Sequence, residues 1–200
     1  MFKTVSIAGI ALLLAGTMRA QAEQNPIVEM VTSSGTIKIE LFAEQAPVTV
    51  SNFLAYVDSG FYDGTVFHRV IRNFMIQGGG FDAALNRKPT RPPIANEAAN
   101  GLRNTRGTIA MARTMLPDSA TSQFFINTSN NGSLDYRNDT PHGIGYCVFG
   151  RVVAGEAVVD AIQSTRTGTS RGMQDVPLAP IVIETVTRIK AQAPAELTTD

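Results

Sequence analysis

The chain has 200 residues, with 17 basic and 17 acidic side chains, so its formal net charge is zero. This balance provides no general attraction to nucleic acid or to anionic lipid, and it excludes a purely electrostatic binder of either. The single cysteine, Cys147, excludes an internal disulfide. The length fits one domain that is stabilised by packing.

The N-terminus has the pattern of a secretory signal peptide. Lys3 supplies a positive charge, residues 5–16 are apolar and uncharged, and Ala20-Gln21-Ala22 forms an A-x-A cleavage site. The apolar run is too short for a membrane-spanning helix, which needs about 20 residues. We therefore predict export and cleavage after Ala22, which leaves 15 basic and 17 acidic residues and no membrane anchor.

The first elements of the remaining chain are a hairpin and a helix. Residues 27–32 and 36–42 predict two strands, with Gly35 in the turn between them. Residues 47–58 predict a helix, because apolar side chains fall on one face and a proline is placed at the first position. Gly60 is expected to end this helix.

Short strands and one more helix are predicted in the rest of the chain. The strands are 65–70, 74–78, 108–112, 123–127, 146–152 and 181–189, and the helix is 156–163. Eight strands and two helices predict a mainly β fold, an eight-stranded antiparallel closed β-barrel capped by two α-helices. We expect one domain over residues 23–190 and a polar tail over residues 191–200.

Two segments place polar groups among large apolar side chains. Residues 67–79 include His68, Arg69 and Gln77, and residues 122–127 repeat the pattern. Buried polar groups cost free energy unless they have partners, so the two segments indicate an apolar pocket with an arginine at its rim. Considered one at a time, these residues also fit ordinary structural roles. Phe125 would be a core aromatic, and Arg69 would be an arginine at the edge of the barrel with its aliphatic stem on apolar surface.

Other motifs do not support other chemistry. Residues 168–172 match the G-x-S-x-G pattern, but both His68 and His142 precede it, whereas a hydrolase triad needs a later histidine. The glycines at 78–80 lack the lysine of a phosphate loop. Two distant histidines without a neighbouring cysteine make a poor metal site, so we expect no metal and no cofactor.

The polar–apolar segments carry a family resemblance. Residues 67–71 and 74–79, residues 107–112 and residues 122–126 resemble, in order and spacing, the signature blocks of the cyclophilin family of peptidyl-prolyl cis-trans isomerases. The resemblance extends from Ile27 to Ile189 and is strongest to exported, periplasmic bacterial members. It implies the barrel fold, an isomerase acting on X-Pro bonds during folding, and a periplasmic location.

The resemblance also implies a site. Arg69 corresponds to the catalytic arginine, and Gln77 corresponds to the glutamine that orients it. The implied walls of the proline pocket are Phe74, Met75, Phe125 and Leu134. The implied groove residues are His68, Ala112, Arg113, Gln123 and Tyr146. The implied partners are proline-containing polypeptides, and the chain is expected to act as a monomer.

Two positions depart from the eukaryotic members of the family. Ser133 replaces a tryptophan at the pocket rim, and Tyr146 replaces a histidine. These two changes predict weak cyclosporin binding and leave the arginine and the pocket intact. Arg113 replaces the usual asparagine of the family, a change that costs little if the backbone there makes the substrate contacts. A proline-peptide binding module or holdase would use the same groove, and a barrel that carries a small apolar ligand is disfavoured because the polar groups surround a groove.

Overall fold

The computed structural model describes residues 25–189. The predicted signal peptide and the polar tail lie outside this range. The strands are β1 (Ile27–Thr32), β2 (Gly35–Leu41), β3 (Thr65–Val66), β4 (Arg69–Ile71), β5 (Met75–Gly78), β6 (Thr108–Met111), β7 (Phe124–Asn127), β8 (Val148–Ala154), β9 (Thr167–Ser170), β10 (Met173–Pro177) and β11 (Val182–Ile189). The helices are α1 (Pro47–Asp58), α2 (Glu156–Gln163) and a 3-10 turn, η1 (Gly132–Leu134). No helix in this part of the chain is long and apolar enough to cross a membrane.

Nine strands form one antiparallel sheet in the order β3-β11-β1-β2-β8-β6-β7-β5-β4. The two outer strands, β3 and β4, are separated in the chain by Phe67 and His68 alone, so the sheet must curl strongly. Within residues 25–189 no ladder of hydrogen bonds joins β3 to β4, so the sheet is a curled half-barrel where a closed barrel was predicted. The mainly β fold with two helices is confirmed. The described part of the chain has eleven strands where eight were predicted. The predicted strand 65–70 divides into β3, which pairs with β11, and β4, which pairs with β5, and the hairpin β9–β10 adds two more strands.

Both helices have the bounds that the sequence predicts. In α1, Pro47 occupies the first turn, where its missing N–H costs nothing, and the apolar face of the helix enters the core. Phe53 on this face lies 5.2 Å from Tyr62, 5.8 Å from Phe124 and 5.2 Å from Phe149, measured between ring centroids. This aromatic group fixes α1 on the concave face of the sheet.

The strands β4, β5, β7, β6 and β8 carry apolar side chains on both faces. Successive residues of a strand point to opposite faces, so Ile76, Phe124 and Ile126 enter the main core. Their neighbours Met75 and Phe125 enter a second buried cluster on the outer face. A sheet with a second apolar face must cover that face with other elements or use it for binding.

The hairpin β9–β10 is not among the strands that the sequence predicts. Arg171 and Gly172 form its two-residue turn, with φ of 50° and 78°, as a type I′ turn requires. Val176 and Pro177 are its buried residues, so it lacks the apolar alternation that reveals a strand. The G-x-S-x-G match therefore spans the end of β9 and the hairpin turn, and it is followed by the strand β10 where a nucleophile elbow has a helix.

Candidate active site

An apolar cluster on the outer face of the sheet contains every predicted wall of the pocket. Its fully buried members are Met75, Ala110, Phe125 and Val148. Its partly buried members are Ile71, Phe74, Leu102, Ala112, Leu134 and Tyr146. We call these ten residues the outer cluster. They come from β4, β5, β6, β7, β8 and η1 and their flanking loops, so the fold brings together side chains that are distant in the chain.

Two polar residues lie at the rim of the outer cluster in adjacent strands. Arg69 pairs with Gln77 across β4 and β5, and Gln77 pairs with Phe125 across β5 and β7. Residues paired in this way share a face of the sheet, so the arginine, the amide and the aromatic ring form one row. The structure thus places Arg69 beside the apolar cluster, on the same face.

The side-chain partners of the two rim residues differ from the predicted pair. Gln77 Nε2 donates to Gln123 Oε1 at 2.9 Å. Arg69 Nε lies 3.7 Å from Asp175 Oδ2, on the hairpin that the sequence did not reveal. Within the described residues, the charged partner of Arg69 is therefore a carboxylate, and the orienting role of Gln77 stays a prediction.

Two cavities border the rim residues Arg69 and Gln77 and share Gln123. The first, of about 430 Å³, is lined by His68, Arg69, Phe81, Gln123, Met173, Gln174 and Asp175. The second, of about 100 Å³, is lined by Gln77, Arg87, Ala112, Arg113, Thr114, Ser119, Thr121 and Gln123. Arg69 borders the first cavity, Gln77 and Ala112 border the second, and Gln123 borders both, so an extended peptide beside the rim residues would have space in each.

Arg113 uses its guanidinium within the protein. Its Nε donates to Gly145 O at 2.8 Å, its Nη1 to Thr114 O at 3.0 Å and its Nη2 to Pro141 O at 3.3 Å. The guanidinium carbon also lies 4.7 Å from the centre of the Tyr146 ring. Arg113 therefore fixes the loop that precedes Tyr146.

Tyr146 in turn packs on the pocket. Its ring meets the Phe125 ring edge to face, with 5.7 Å between centroids and 78° between planes. This is a favourable geometry for an aromatic pair. The tyrosine that replaces a histidine thus supports the Phe125 wall.

His68 is buried, with 5% of its surface exposed, and its ring lies 4.6 Å from the Phe81 ring. The pKa of His68 is lowered to about 4, chiefly by burial and to a smaller extent by the neighbouring Arg69 charge. The imidazole is consequently neutral near pH 7. Its Nδ1 has no hydrogen-bond partner among the described residues.

Three buried asparagines behind the outer cluster were not identified from the sequence. Asn131 Nδ2 donates to Phe74 O at 2.8 Å and to Asn127 Oδ1 at 2.7 Å, and Asn127 Nδ2 donates to Asn104 Oδ1 at 3.1 Å. Asn104 Nδ2 reaches Leu134 O at 3.1 Å. The chain of amides ties two predicted walls of the pocket to each other. The sequence contains one indication of this network, because Asn127 is a polar residue at the end of the otherwise apolar strand β7.

The arrangement does not favour covalent chemistry. Cys147 is buried, and burial raises the pKa of its thiol to about 11, so the reactive thiolate is scarce near neutral pH. Within residues 25–189, no group of three or more His, Cys, Asp or Glu side chains could hold a metal ion. The site offers apolar surface, amide groups and a permanent cation.

Comparisons with known proteins identify the family. The profile of the "cyclophilin type peptidyl-prolyl cis-trans isomerase/CLD" family matches residues 27–188. A peptidyl-prolyl cis-trans isomerase of Streptomyces antibioticus is 60% identical over 157 residues, covering 78% of this chain and 95% of that protein. Peptidyl-prolyl cis-trans isomerase B of Escherichia coli is 53% identical over 161 residues, covering 80% of this chain and 98% of its own.

A solved structure agrees with these relatives. The cyclophilin-type isomerase of Cryptosporidium parvum has a TM-score of 0.68 at 27% identity, and the match covers 84% of this chain and 99% of that one. The same protein in the presence of the dipeptide Ala-Pro matches with a TM-score of 0.67 at 27% identity, covering 82% of this chain and 99% of its own. The family profile, the bacterial relatives and the fold agree, and the chain belongs to the cyclophilin-type peptidyl-prolyl cis-trans isomerases, enzymes that interconvert the cis and trans forms of X-Pro bonds.

Proposed function

We propose that the chain catalyses X-Pro isomerisation in exported polypeptides by a non-covalent mechanism, in which Arg69 stabilises the twisted imide. The observation that carries this proposal is the row formed by Arg69, Gln77 and Phe125 on one face of the sheet. It combines a permanent cation and an apolar cluster within one site, which is the combination that the reaction requires.

The reaction requires no nucleophile and no acid–base pair. Rotation about a peptide bond faces a barrier of roughly 18–20 kcal/mol, because resonance gives the C–N bond double-bond character. The two isomers of an X-Pro bond differ by only about 1 kcal/mol, yet their exchange takes tens to hundreds of seconds. A catalyst must favour the twisted state, in which resonance is lost and the imide nitrogen regains its lone pair.

Arg69 is suited to that task. A guanidinium N–H directed at the imide nitrogen, or at the prolyl carbonyl, stabilises charge that develops as the bond twists, and this lowers the barrier. Apolar surroundings strengthen the hydrogen bond relative to water. Each 1.36 kcal/mol gained corresponds to about tenfold in rate. Lysine is a poor replacement, since it lacks the planar, always-charged fork.

The outer cluster is the proposed seat of the proline ring. Phe74, Met75, Phe125 and Leu134 are the members of the cluster against which a pyrrolidine ring would pack, and burial of that ring supplies binding free energy. The Cryptosporidium parvum relative, whose structure was solved in the presence of Ala-Pro, supports a proline-containing peptide as the ligand. With the ring held, the residue before proline is free to rotate.

The catalytic proposal is tested with Arg69→Ala in a protease-coupled assay on a proline peptide. We expect the loss of most of the activity, with an unchanged thermal unfolding midpoint and peptide affinity. Arg72→Ala is the matched control, because Arg72 is an exposed arginine in the turn after β4. Near wild-type activity of Arg69→Ala would contradict the assignment.

Refolding separates an isomerase from a holdase. An enzyme accelerates the slow, proline-limited phase of a client at substoichiometric amounts, whereas a holdase delays refolding and needs at least equimolar amounts. We expect acceleration by the wild type and its loss in Arg69→Ala. Delay by both proteins would favour the holdase.

We also propose that the enzyme is exported to the periplasm. The N-terminal charge, the apolar run and the Ala20-Gln21-Ala22 site support this location. Fractionation of bacteria that express the full chain should place a protein beginning at Glu23 in the periplasm. A form without residues 2–22 should stay in the cytoplasm. A full-length chain in the cytoplasm would contradict the proposal.

A further inference from the structure

The hairpin β9–β10 meets the proposed catalytic arginine. β10 packs against β4, and Asp175 Oδ2 lies 3.7 Å from Arg69 Nε. The side chains are 43% exposed for Arg69 and 39% exposed for Asp175, so both remain accessible to a ligand. The carboxylate is therefore an ion-pair partner at the mouth of the site, not a buried structural anchor.

The backbone of the hairpin is irregular at this residue. Met173 pairs with Ser170 but Val176 pairs with Gly168, so β10 contains one residue more than β9 between the two pairs. Such a bulge changes the direction in which a side chain points, and bulges are common beside active sites. Asp175 adopts a φ of 61°, a region that few non-glycine residues occupy and that Asp and Asn tolerate best.

Asp175 also borders the larger of the two cavities. Met173, Gln174 and Asp175 form the hairpin side of the cavity of about 430 Å³, and Arg69 forms part of its opposite side. The amide nitrogen of Gln77 is engaged with Gln123 Oε1 at 2.9 Å. Within residues 25–189, the group that faces the guanidinium with opposite charge is thus the carboxylate of Asp175.

An arginine at the rim of a binding site needs a charged partner that limits the movement of its side chain. Its long side chain has many rotamers, and each rotamer places the guanidinium elsewhere. Catalysis by a directed donor is sensitive to displacements of about 1 Å. An ion pair that narrows the range of rotamers therefore raises the rate even when it adds little to folding stability.

We propose that Asp175 is a positioning residue, whose carboxylate holds the Arg69 guanidinium over the outer cluster. This inference rests on the proposed role of Arg69. Asp175 acts through the arginine and needs no contact with the substrate. The bulge in β10, where Asp175 has a positive φ, directs this carboxylate from the hairpin towards the Arg69 guanidinium.

The test uses Asp175→Asn and Asp175→Gly in the mature enzyme. Asparagine and glycine both accept the positive φ, so the bulge is retained while the charge is removed. We expect each variant to lose about threefold in kcat/KM, which is the range of an exposed ion pair. The affinity for a proline peptide, measured by NMR titration, and the unfolding midpoint should stay unchanged. Glu184→Gln, which removes an exposed carboxylate on β11, should leave kcat/KM unchanged.

Salt supplies a readout that a merely structural role would not change. Raising sodium chloride to about 0.5 M screens exposed ion pairs, so the wild-type activity should fall towards that of Asp175→Asn, whose own activity should stay constant. Wild-type activity in both variants would overturn the proposal, as would a loss of activity that is matched by a loss of peptide affinity or of stability. Full activity of Arg69→Ala would overturn the role of the arginine itself, so the two failures are distinguishable.

Discussion

Gln77 donates a hydrogen bond from Nε2 to Oε1 of Gln123, and the 2.9 Å contact joins β5 to the residue that precedes β7. Gln123 is also the residue common to the two cavities that border Arg69 and Gln77. The amide pair therefore forms part of the surface over which a substrate backbone would pass. Because each amide fixes the orientation of the other, the two side chains should act as a unit.

The first prediction concerns this unit. We expect Gln77→Ala and Gln123→Ala each to lower kcat/KM by about fivefold, the equivalent of one hydrogen bond of about 1 kcal/mol. The double variant should lose little more than either single variant, since either change breaks the same bond. Thr187→Ala, which changes an exposed residue of β11 away from both cavities, is the control. Additive losses would mean that the two glutamines contact the substrate independently.

The second prediction concerns the buried asparagines. Asn127 is fully buried, and its side chain bonds to Asn104, Asn131 and Thr108. Asn127→Ala leaves several buried polar groups without partners, so we expect the free energy of unfolding to fall by about 2–4 kcal/mol. Denaturant unfolding measures the change.

The matched control for that prediction is Asn130→Ala. Asn130 is exposed, and its side chain accepts one hydrogen bond from Arg106 N–H. The exposed group is resolvated when its partner is lost, so the cost should stay below about 1 kcal/mol. Equal losses of unfolding free energy in the two variants would mean that burial of the Asn127 amide does not increase the cost of losing its hydrogen bonds.

Most of the fold could be predicted from the sequence, because in both helices and in most strands the local pattern of apolar residues agrees with the tertiary structure. The helices over residues 47–58 and 156–163 follow from apolar periodicity and from the residues at their ends. The segments around Arg69 and Phe125 alternate between the two faces of the sheet, as a strand requires. The outer cluster brings together all four of the wall residues that the family resemblance implied.

The features that the sequence did not predict depend on distant partners. Asn131 bonds to Phe74, 57 positions away in the chain, and no local pattern reports such a pair. Asp175 lies in a hairpin whose exposed residues show no apolar alternation, and its positive φ follows from the register of β10 against β9. The chemistry of these residues is set by the tertiary structure that surrounds them.

The third prediction concerns Cys147. The thiol is 3% exposed and has a pKa raised by burial to about 11, so at pH 8 only about one molecule in a thousand carries the thiolate. We expect a disulfide reagent to leave the native enzyme unlabelled and fully active for hours. The guanidinium-unfolded chain, in which the pKa returns to about 8.5, should react within minutes. Rapid labelling of the native enzyme would show that the structure around Cys147 opens to solvent at a low cost in free energy.

The fourth prediction concerns pH and follows from His68. Its pKa is about 4 in the folded protein, against 6.5 in the unfolded chain. Between these values the unfolded chain binds a proton that the folded protein does not, so stability is complete above pH 6.5 and falls as the pH decreases to 4. The shift corresponds to a loss of about 3 kcal/mol.

His68→Gln isolates this effect, because glutamine does not titrate. Carboxylates with lowered pKa values, such as Glu40 and Asp160, lose their own contributions at still lower pH, and they do so in both proteins. The difference between the wild-type and variant unfolding free energies should therefore change by about 3 kcal/mol between pH 7 and pH 4. His142→Gln, which removes an exposed histidine, should follow the wild-type curve. Parallel curves for His68→Gln and the wild type would place the imidazole in contact with water.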